Sequence, residues 1–183
     1  MTKLLRRHAL VVISAVALPA PARAAGGAVL LMRHAQTDPG VGDPPGFVLE
    51  RCATQRNLSA EGRAQARAFG ATLAAQGLRP TAMRSSRWCR CLHTADEIAQ
   101  GLGSGAATQP WTALDSFFDE REREPQQTAQ LRARLAAMRG PGFELWVSHQ
   151  VNIGAFVGAA TQMGQALWIN RRADGSIVAT PFA

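Results

Sequence analysis

Short apolar runs alternate with longer amphipathic segments along the chain. Strands are predicted at 28–34, 79–84, 143–148, 167–169 and 176–178. Helices are predicted at 60–76, 88–102, 126–139 and 152–160. The apolar runs at 28–34 and 143–148 end on polar residues, which is typical of buried parallel strands that deliver side chains to a sheet edge.

This order of elements predicts a single α/β domain. Strands that alternate with helices favour a mainly parallel sheet covered on both faces, so we expect a three-layer α/β/α sandwich. The last two strands are expected to pair around a turn at Asp174–Gly175. The segment between Arg90 and His149 has room for a crossover or two, so no large cap domain is expected.

The first 24 residues have the pattern of a secretory signal peptide. Basic residues at Lys3, Arg6 and Arg7 precede an apolar stretch at 9–18, and Ala22–Arg23–Ala24 fits a cleavage site of small residues. We therefore expect a signal peptide at 1–24, a mature domain at 25–183, and a periplasmic or secreted location. A cytosolic N-terminal helix or strand is the alternative, and Arg6–Arg7 leaves the twin-arginine route open.

The charge of the mature part is modest. The chain has 20 Lys+Arg and 13 Asp+Glu, and residues 1–24 contain four of the basic residues and none of the acidic ones, which leaves 16 − 13 = +3. The remaining arginines are scattered and are not clustered with aromatic residues, so no nucleic-acid partner is expected. No apolar stretch of the mature part is long enough for a membrane span.

Three segments carry the candidate chemistry. The first strand ends on Arg33–His34, residues 85–95 contain Arg90, and the strand at 143–148 is followed by His149. A histidine flanked by guanidinium groups is suited to attack a phosphoryl group whose oxygens those cations hold. One Arg-His pair would be weak evidence, but three segments in this order are strong evidence.

These segments resemble the signature of the histidine phosphatase superfamily, also called phosphoglycerate-mutase-like. That family has Arg-His-Gly after its first strand, a motif similar to Leu58–Ala66, a Ser-Ser-x-x-x-Arg-Ala-x-x-Thr-Ala stretch similar to 85–95, and a late strand that ends on His. The resemblance covers roughly 28–180. It departs from the pattern at Ala35 and Gln150, which both replace glycines of the family.

The resemblance implies a role for each of four residues. His34 is the expected nucleophile, which forms a phosphohistidine that water hydrolyses. Arg33 and Arg90 are expected to hold phosphoryl oxygens with forked donors. His149 is expected to bind another oxygen as an imidazolium. Arg56 is either a third phosphate-binding cation or a solvated surface arginine. No cofactor and no metal are expected.

The general acid is less well defined by the sequence. Family members often place a carboxylate after the third strand, where this chain offers Asp115 and Asp119. Solvated surface carboxylates are the alternative interpretation for both. Arg87 is expected at the pocket rim or in solvent, and His93 is expected to be a packing or surface residue.

Three cysteines in an exported chain predict one disulfide and one free thiol. Cys89 and Cys91 are two residues apart and point in different directions, so Cys52 is the partner of one of them. The family motif has a small, inward-facing residue at the position of Cys91, which favours Cys52–Cys89. Three buried free thiols remain the alternative.

The function implied by the resemblance is that of an exported phosphomonoesterase. An uncapped site suits a bulky phosphorylated substrate, such as an envelope glycolipid. A phosphoglycerate-mutase-like phosphotransferase and a non-catalytic protein that binds a phosphorylated ligand are the two alternatives.

Overall fold

The structure, a computed structural model, describes residues 27–183, so the predicted signal peptide lies outside the described residues. The strands of this part are β1 Ala28–Arg33, β2 Ala82–Ser85, β3 Thr108–Pro110, β4 Phe143–Ser148, β5 Ala166–Arg171 and β6 Ile177–Pro181. The α-helices are α1 Ala60–Ala75, α2 Cys89–Gly101, α3 Glu124–Ala137 and α4 Gln150–Val157. Short 3₁₀ turns lie at 52–54, 112–114 and 121–123.

The six strands form one sheet in the order β3-β2-β4-β1-β5-β6. Strands β3, β2, β4 and β1 are mutually parallel, β5 is antiparallel to β1, and β6 is antiparallel to β5. Only β5 therefore runs against the other described strands, and the prediction of a mainly parallel sheet is confirmed. The pairing of the last two strands across the turn at 172–175 is confirmed as well.

Successive side chains of β1 point to opposite faces of the sheet and contribute to two separate hydrophobic cores. Leu30 and Met32 point into the core formed with α1 and α2. Val29 and Leu31 point into the core formed with α3 and α4. Both faces of the sheet are thus covered, as the three-layer prediction requires, and the described residues contain no large cap domain.

The sequence-based prediction missed one strand and misplaced the ends of several strands and helices. Edge strand β3 has three residues, two of them exposed, and ends on a proline, so it carries no periodic signal. Helix α4 starts at Gln150 and ends at Val157, because Gly158 takes the left-handed conformation at φ 71° that closes a helix. The prediction of a helix at 152–160 was therefore shifted.

Helices α1 and α2 pack at close range on one face of the sheet. A side-chain carbon added at Gly70 would lie 2.2 Å from the carbonyl oxygen of Ile98, and one added at Gly101 would lie 2.0 Å from that of Arg67. The two glycines therefore allow a backbone approach that alanine would prevent. This contact fixes the position of α2 on the sheet face. The first turn of α2, which carries Arg90, then lies at the carboxyl edge of the sheet.

Candidate active site

A cavity of about 710 Å³ opens at the carboxyl ends of β1 and β4. Its lining includes Arg33, His34, Arg56, Arg90 and His149. Arg33 is the last residue of β1, His149 follows β4, and Arg90 lies in the first turn of α2. The structure thus brings these five residues, including Arg56, together around one cavity.

His34 is buried and held by hydrogen bonds on both its backbone and its ring. Its backbone N–H donates to the carbonyl of Ser148 at 2.9 Å. Its Nδ1 lies 2.9 Å from the carbonyl oxygen of Ala35. A carbonyl can only accept, so this hydrogen bond places the ring proton on Nδ1 and leaves the lone pair on Nε2.

The electrostatic surroundings keep His34 neutral. Burial lowers the pKa of its imidazole to about 3, and the positive charges of Arg90, Arg33 and Arg56 act in the same direction. The ring is therefore uncharged at neutral pH. An uncharged imidazole with a free Nε2 is the form that attacks an electrophile.

The three arginines come from three different segments. Arg33 Nη1 donates to the carbonyl of Thr161 at 2.7 Å, and Arg56 Nη1 donates to the carbonyl of Gly40 at 2.8 Å. The Nε–H groups of Arg33, Arg56 and Arg90 are buried without a partner among the described residues. Unpaired buried donors are costly, and an anion with several acceptor oxygens would satisfy them. Of the two interpretations of Arg56, its placement favours the third cation.

Asp43 is a site residue that the sequence analysis did not single out. Its carboxylate accepts from Arg90 Nη1 at 2.8 and 3.0 Å, from Trp88 Nε1 at 2.9 Å and from the backbone N–H of Arg56 at 2.9 Å. Burial alone would raise its pKa, but the charge of Arg90 and these donors outweigh burial and lower it. Asp43 is therefore a carboxylate that fixes the guanidinium of Arg90.

The same carboxylate sets the charge of the site. With His34 neutral, Arg33, Arg56 and Arg90 contribute three positive charges, and Asp43 compensates one of them. Two positive charges remain among these side chains. A phosphate monoester dianion would neutralise these two charges; the carboxylates of Asp119 and Glu120, which also line the cavity, lie outside this sum.

His149 belongs to a chain of hydrogen bonds that leads away from the cavity. Its Nε2 lies 2.9 Å from Ser86 Oγ, and that hydroxyl donates to Asp115 Oδ1 at 3.3 Å. Because the hydroxyl proton goes to the carboxylate, His149 Nε2 is the donor to Ser86, and Nδ1 is the other ring nitrogen. The ring meets that of His34 edge to face, with centroids 5.5 Å apart.

The predicted imidazolium state of His149 does not fit these surroundings. Burial holds its pKa well below the ordinary value, and the nearby charges of Arg90, Arg33 and Arg56 lower it further. The imidazole is neutral at neutral pH in this state of the site. A phosphate dianion beside Nδ1 would favour protonation of the ring.

Asp115 does not lie where a proton donor to the substrate is needed. It is fully buried, does not line the cavity, and accepts from Arg87 Nε at 2.7 Å and from the Arg87 backbone N–H at 2.8 Å. This placement argues against Asp115 as the general acid, and its hydrogen bonds connect it to Ser86 and, through that serine, to His149. Arg87 is part of this ion pair, with 39% of its side chain exposed.

Asp119 is exposed and lines the cavity, as a general acid should. Glu120, which the sequence analysis did not single out, lines it as well, and it pairs with Arg123 at 2.5 Å. The signal that could have found Glu120 is its position directly after Asp119. Of the two predicted acids, the placement favours Asp119.

Thr94, the threonine of the motif at 85–95, connects α2 to the end of β1. Its hydroxyl donates to the carbonyl of Arg90 at 2.7 Å and accepts the backbone N–H of Ala35 at 3.0 Å. The first turn of α2 is thus tied to the residue after His34. Ala35 replaces the family glycine without strain, because no non-glycine residue of the described part has a positive φ.

The other two residues noted in the sequence lie at the periphery. Gln150, which replaces the second family glycine, is exposed and lines the cavity. His93 is half-buried on α2 and does not line it. Its placement agrees with a packing or surface residue.

A disulfide joins the two segments that supply Arg56 and Arg90. Cys52 and Cys89 are bonded, with Cα atoms 5.5 Å apart. Gln55 reinforces the link, since its Oε1 accepts the backbone N–H of Cys89 at 3.0 Å. The structure therefore contains the disulfide that was preferred from the sequence, directly beside the phosphate-binding candidates.

Cys91 is the free thiol of the described part. It is fully buried, and burial raises its pKa to about 12. Its Sγ lies 3.4 Å from His149 Nε2, so it packs against that ring as a neutral thiol. The described residues contain no group of three or more histidine, cysteine or acidic side chains that could hold a metal ion.

Comparisons with solved structures show a shared fold. The protein histidine phosphatase SixA complexed with tungstate has a TM-score of 0.63 and 17% identity, over 84% of this chain and 94% of that chain. The mycobacterial glucosyl-3-phosphoglycerate phosphatase has a TM-score of 0.61 and 17% identity, over 85% and 98%. Phosphoglycerate mutase from Bacillus anthracis str. Sterne has a TM-score of 0.62 and 12% identity, over 87% and 94%.

No curated protein matches the sequence at a significant level. The family profile described as Histidine phosphatase superfamily (branch 1) matches residues 29–137, which is more than half of the chain. This range includes the Arg-His pair, the motif around Arg90 and the carboxylates after β3. The chain therefore belongs to branch 1 of the histidine phosphatase superfamily, and it is an enzyme of the histidine phosphatase type.

Proposed function

We propose that this protein is an exported phosphomonoesterase that works through a phosphohistidine on His34. The observation that carries the proposal is the environment of His34, whose neutral ring has a free Nε2 beside three arginines in one cavity. Arginines that hold a phosphate around such a nucleophile provide positioning and charge stabilisation, which are the main needs of phosphoryl transfer.

The reaction proceeds in two displacements on phosphorus. In the first, His34 Nε2 forms a bond to phosphorus, the ester P–O bond breaks, and the departing oxygen takes a proton from a general acid. In the second, water attacks the phosphohistidine and gives a proton to the carboxylate left by the acid, the P–N bond breaks, and inorganic phosphate leaves with both His34 and the acid restored. Arg33, Arg56 and Arg90 hold the non-bridging oxygens in both steps.

Asp115 and Ser86 support this reaction through His149. Their hydrogen bonds keep the proton of the neutral ring on Nε2, so that Nδ1 is available on the other side of the ring. When phosphate binds, Nδ1 takes up a proton from solvent and donates it in a hydrogen bond to a phosphate oxygen. The carboxylate of Asp115 stabilises the resulting positive charge through the serine.

The substrate class and the location complete the proposal. An uncapped cavity suits a bulky phosphate, such as a phosphorylated envelope glycolipid. Export is supported by the signal-like pattern at 1–24 and by the disulfide Cys52–Cys89, since disulfides persist in oxidising compartments. None of the helices in the described part is long and apolar enough to cross a bilayer.

The nucleophile is tested with p-nitrophenyl phosphate. We expect the mature protein to release p-nitrophenol and His34→Ala to lose at least about a thousandfold in kcat/KM, because no other group can take the phosphoryl group. His93→Ala is the matched control and should keep wild-type activity. Activity retained by His34→Ala would refute the proposal, and interconversion of phosphoglycerates without net release of phosphate would favour the mutase alternative.

The general acid is tested with leaving groups of different acidity. We expect Asp119→Asn to slow the hydrolysis of alkyl phosphates far more than that of p-nitrophenyl phosphate, whose leaving group needs little protonation. Asp115→Asn should slow both substrates by a similar factor, because Asp115 acts through His149. Glu122→Gln, an exposed residue of the same segment that does not line the cavity, serves as the control and should leave both rates unchanged. Equal effects of Asp119→Asn on both substrates would exclude Asp119 as the acid.

Asp43 is tested by removing its charge. Asp43→Asn places an amide opposite Arg90 and adds one positive charge to the site, so we expect kcat to fall about tenfold while inorganic phosphate inhibits at least as tightly as before. A general loss of folded protein would not produce this separation. Asp38→Asn, an exposed residue of the same loop, is the control. A rise in kcat would show instead that Asp43 competes with substrate for Arg90.

The location is tested by fractionating cells that produce the full chain with a C-terminal tag. We expect the protein in the periplasm or medium, with an N-terminus near Ala25 and with Cys52 and Cys89 protected from alkylation until a reductant is added. Full-length protein in the cytoplasm, with both thiols free to react, would contradict export.

A further inference from the structure

The cavity above the proposed phosphate site has an apolar rim. Among the described residues, the exposed large hydrophobic side chains are Val41, Val48 and Phe118, with 91%, 40% and 49% exposure. Two of these, Val41 and Phe118, line the cavity, together with Phe47 and Met163. Exposed apolar side chains do not contribute the free energy of burial to folding. Apolar side chains that are exposed together at one cavity therefore indicate contact with a ligand.

Val41 is presented by a loop that is fixed on both sides. Before it, the carbonyl of Gly40 accepts from Arg56 Nη1 at 2.8 Å. After it, the carboxylate of Asp43 is held by Arg90 and Trp88. The side chains that form the phosphate site therefore also hold the loop that carries Val41, and they fix the position of Val41 relative to that site.

Phe118 lies on a segment that also carries Asp119 and Glu120 into the cavity. The guanidinium of Arg121 lies over its ring, 5.6 Å from the centroid, which orients the ring. Carboxylates beside this ring repel a second anionic group on the substrate. The guanidinium of Arg121 disfavours a cation in the same place, so the environment suits a leaving group that is apolar and uncharged.

We propose that Val41 and Phe118 form a subsite for an apolar, uncharged alkyl or aryl leaving group of the phosphate ester. This inference rests on the proposed phosphatase function, because a phosphate held at His34 directs the ester oxygen and its substituent along this cavity. It separates substrates with an apolar group next to the phosphate from sugar phosphates and phosphorylated acids. Among the bulky envelope phosphates of the proposed function, it favours those whose phosphate is carried by the lipid part over those whose phosphate is carried by a sugar.

The subsite is tested with two pairs of esters whose leaving groups have similar acidity within each pair. Ethyl and n-hexyl phosphate form the alkyl pair, and phenyl and 2-naphthyl phosphate form the aryl pair. Each methylene removed from water favours binding by about fourfold at full burial, so partial cover should raise kcat/KM about tenfold from ethyl to n-hexyl phosphate. The pair with the larger ratio identifies the alkyl or the aryl class.

Val41→Ser and Phe118→Ser should reduce this ratio several-fold. Val48→Ser is the matched control, since Val48 is exposed and does not line the cavity. Ratios near one in both pairs, or ratios that Val48→Ser lowers equally, would overturn the subsite while the phosphatase function stands. If the protein hydrolyses none of these esters, and does not hydrolyse p-nitrophenyl phosphate either, both the proposed function and the subsite are overturned.

Discussion

The parallel pairing of β1 with β4 is the constraint on which the site depends. In this register Arg33 lies opposite Ser148, so the residues that follow, His34 and His149, leave the sheet side by side. The hydrogen bond from the His34 backbone to Ser148 extends the pairing by one step beyond β1. A shift of one residue would turn His34 toward the opposite face of the sheet. Such a shift would also exchange the β1 side chains between the two hydrophobic cores.

Around this pair of strands, the burial of the two histidines and the charges of the neighbouring arginines together determine the protonation of the site. Three arginines near two histidines would be unstable if the histidines were protonated, and burial with arginine neighbours keeps both rings neutral. Asp43 both compensates the charge of Arg90 and fixes its guanidinium, which reduces the excess of positive charge around His34. The disulfide and the Thr94 contact hold the segments that carry these charges, and the site is therefore organised before substrate arrives.

The sequence predicted the parts of this site that local motifs encode. Arg33 and His34 end an apolar run, and Arg90 was assigned from the resemblance of residues 85–95 to the family motif, so all three lie in local segments that the sequence identifies. Asp43 was missed because its role arises when a loop rich in proline and glycine folds onto α2, and nothing in the neighbouring residues indicates that contact. The environment of Asp115 was not predictable for a related reason, since the sequence shows a carboxylate but not the arginine and serine that bind it. Edge strand β3 has too few residues for a periodic signal, whereas Gly158 did offer a stop signal for α4.

The central claim is that His34 Nε2 forms a covalent bond to phosphorus, and trapping that bond tests it most directly. The mature protein is mixed with p-nitrophenyl phosphate, quenched in alkali within milliseconds to seconds because phosphohistidine is labile in acid, and digested for mass spectrometry. The account predicts a phosphoryl group on the peptide that contains His34, attached at Nε2, which appears with turnover and disappears when substrate is exhausted. Turnover without any label on His34, or a label on His149 in its place, would contradict the account.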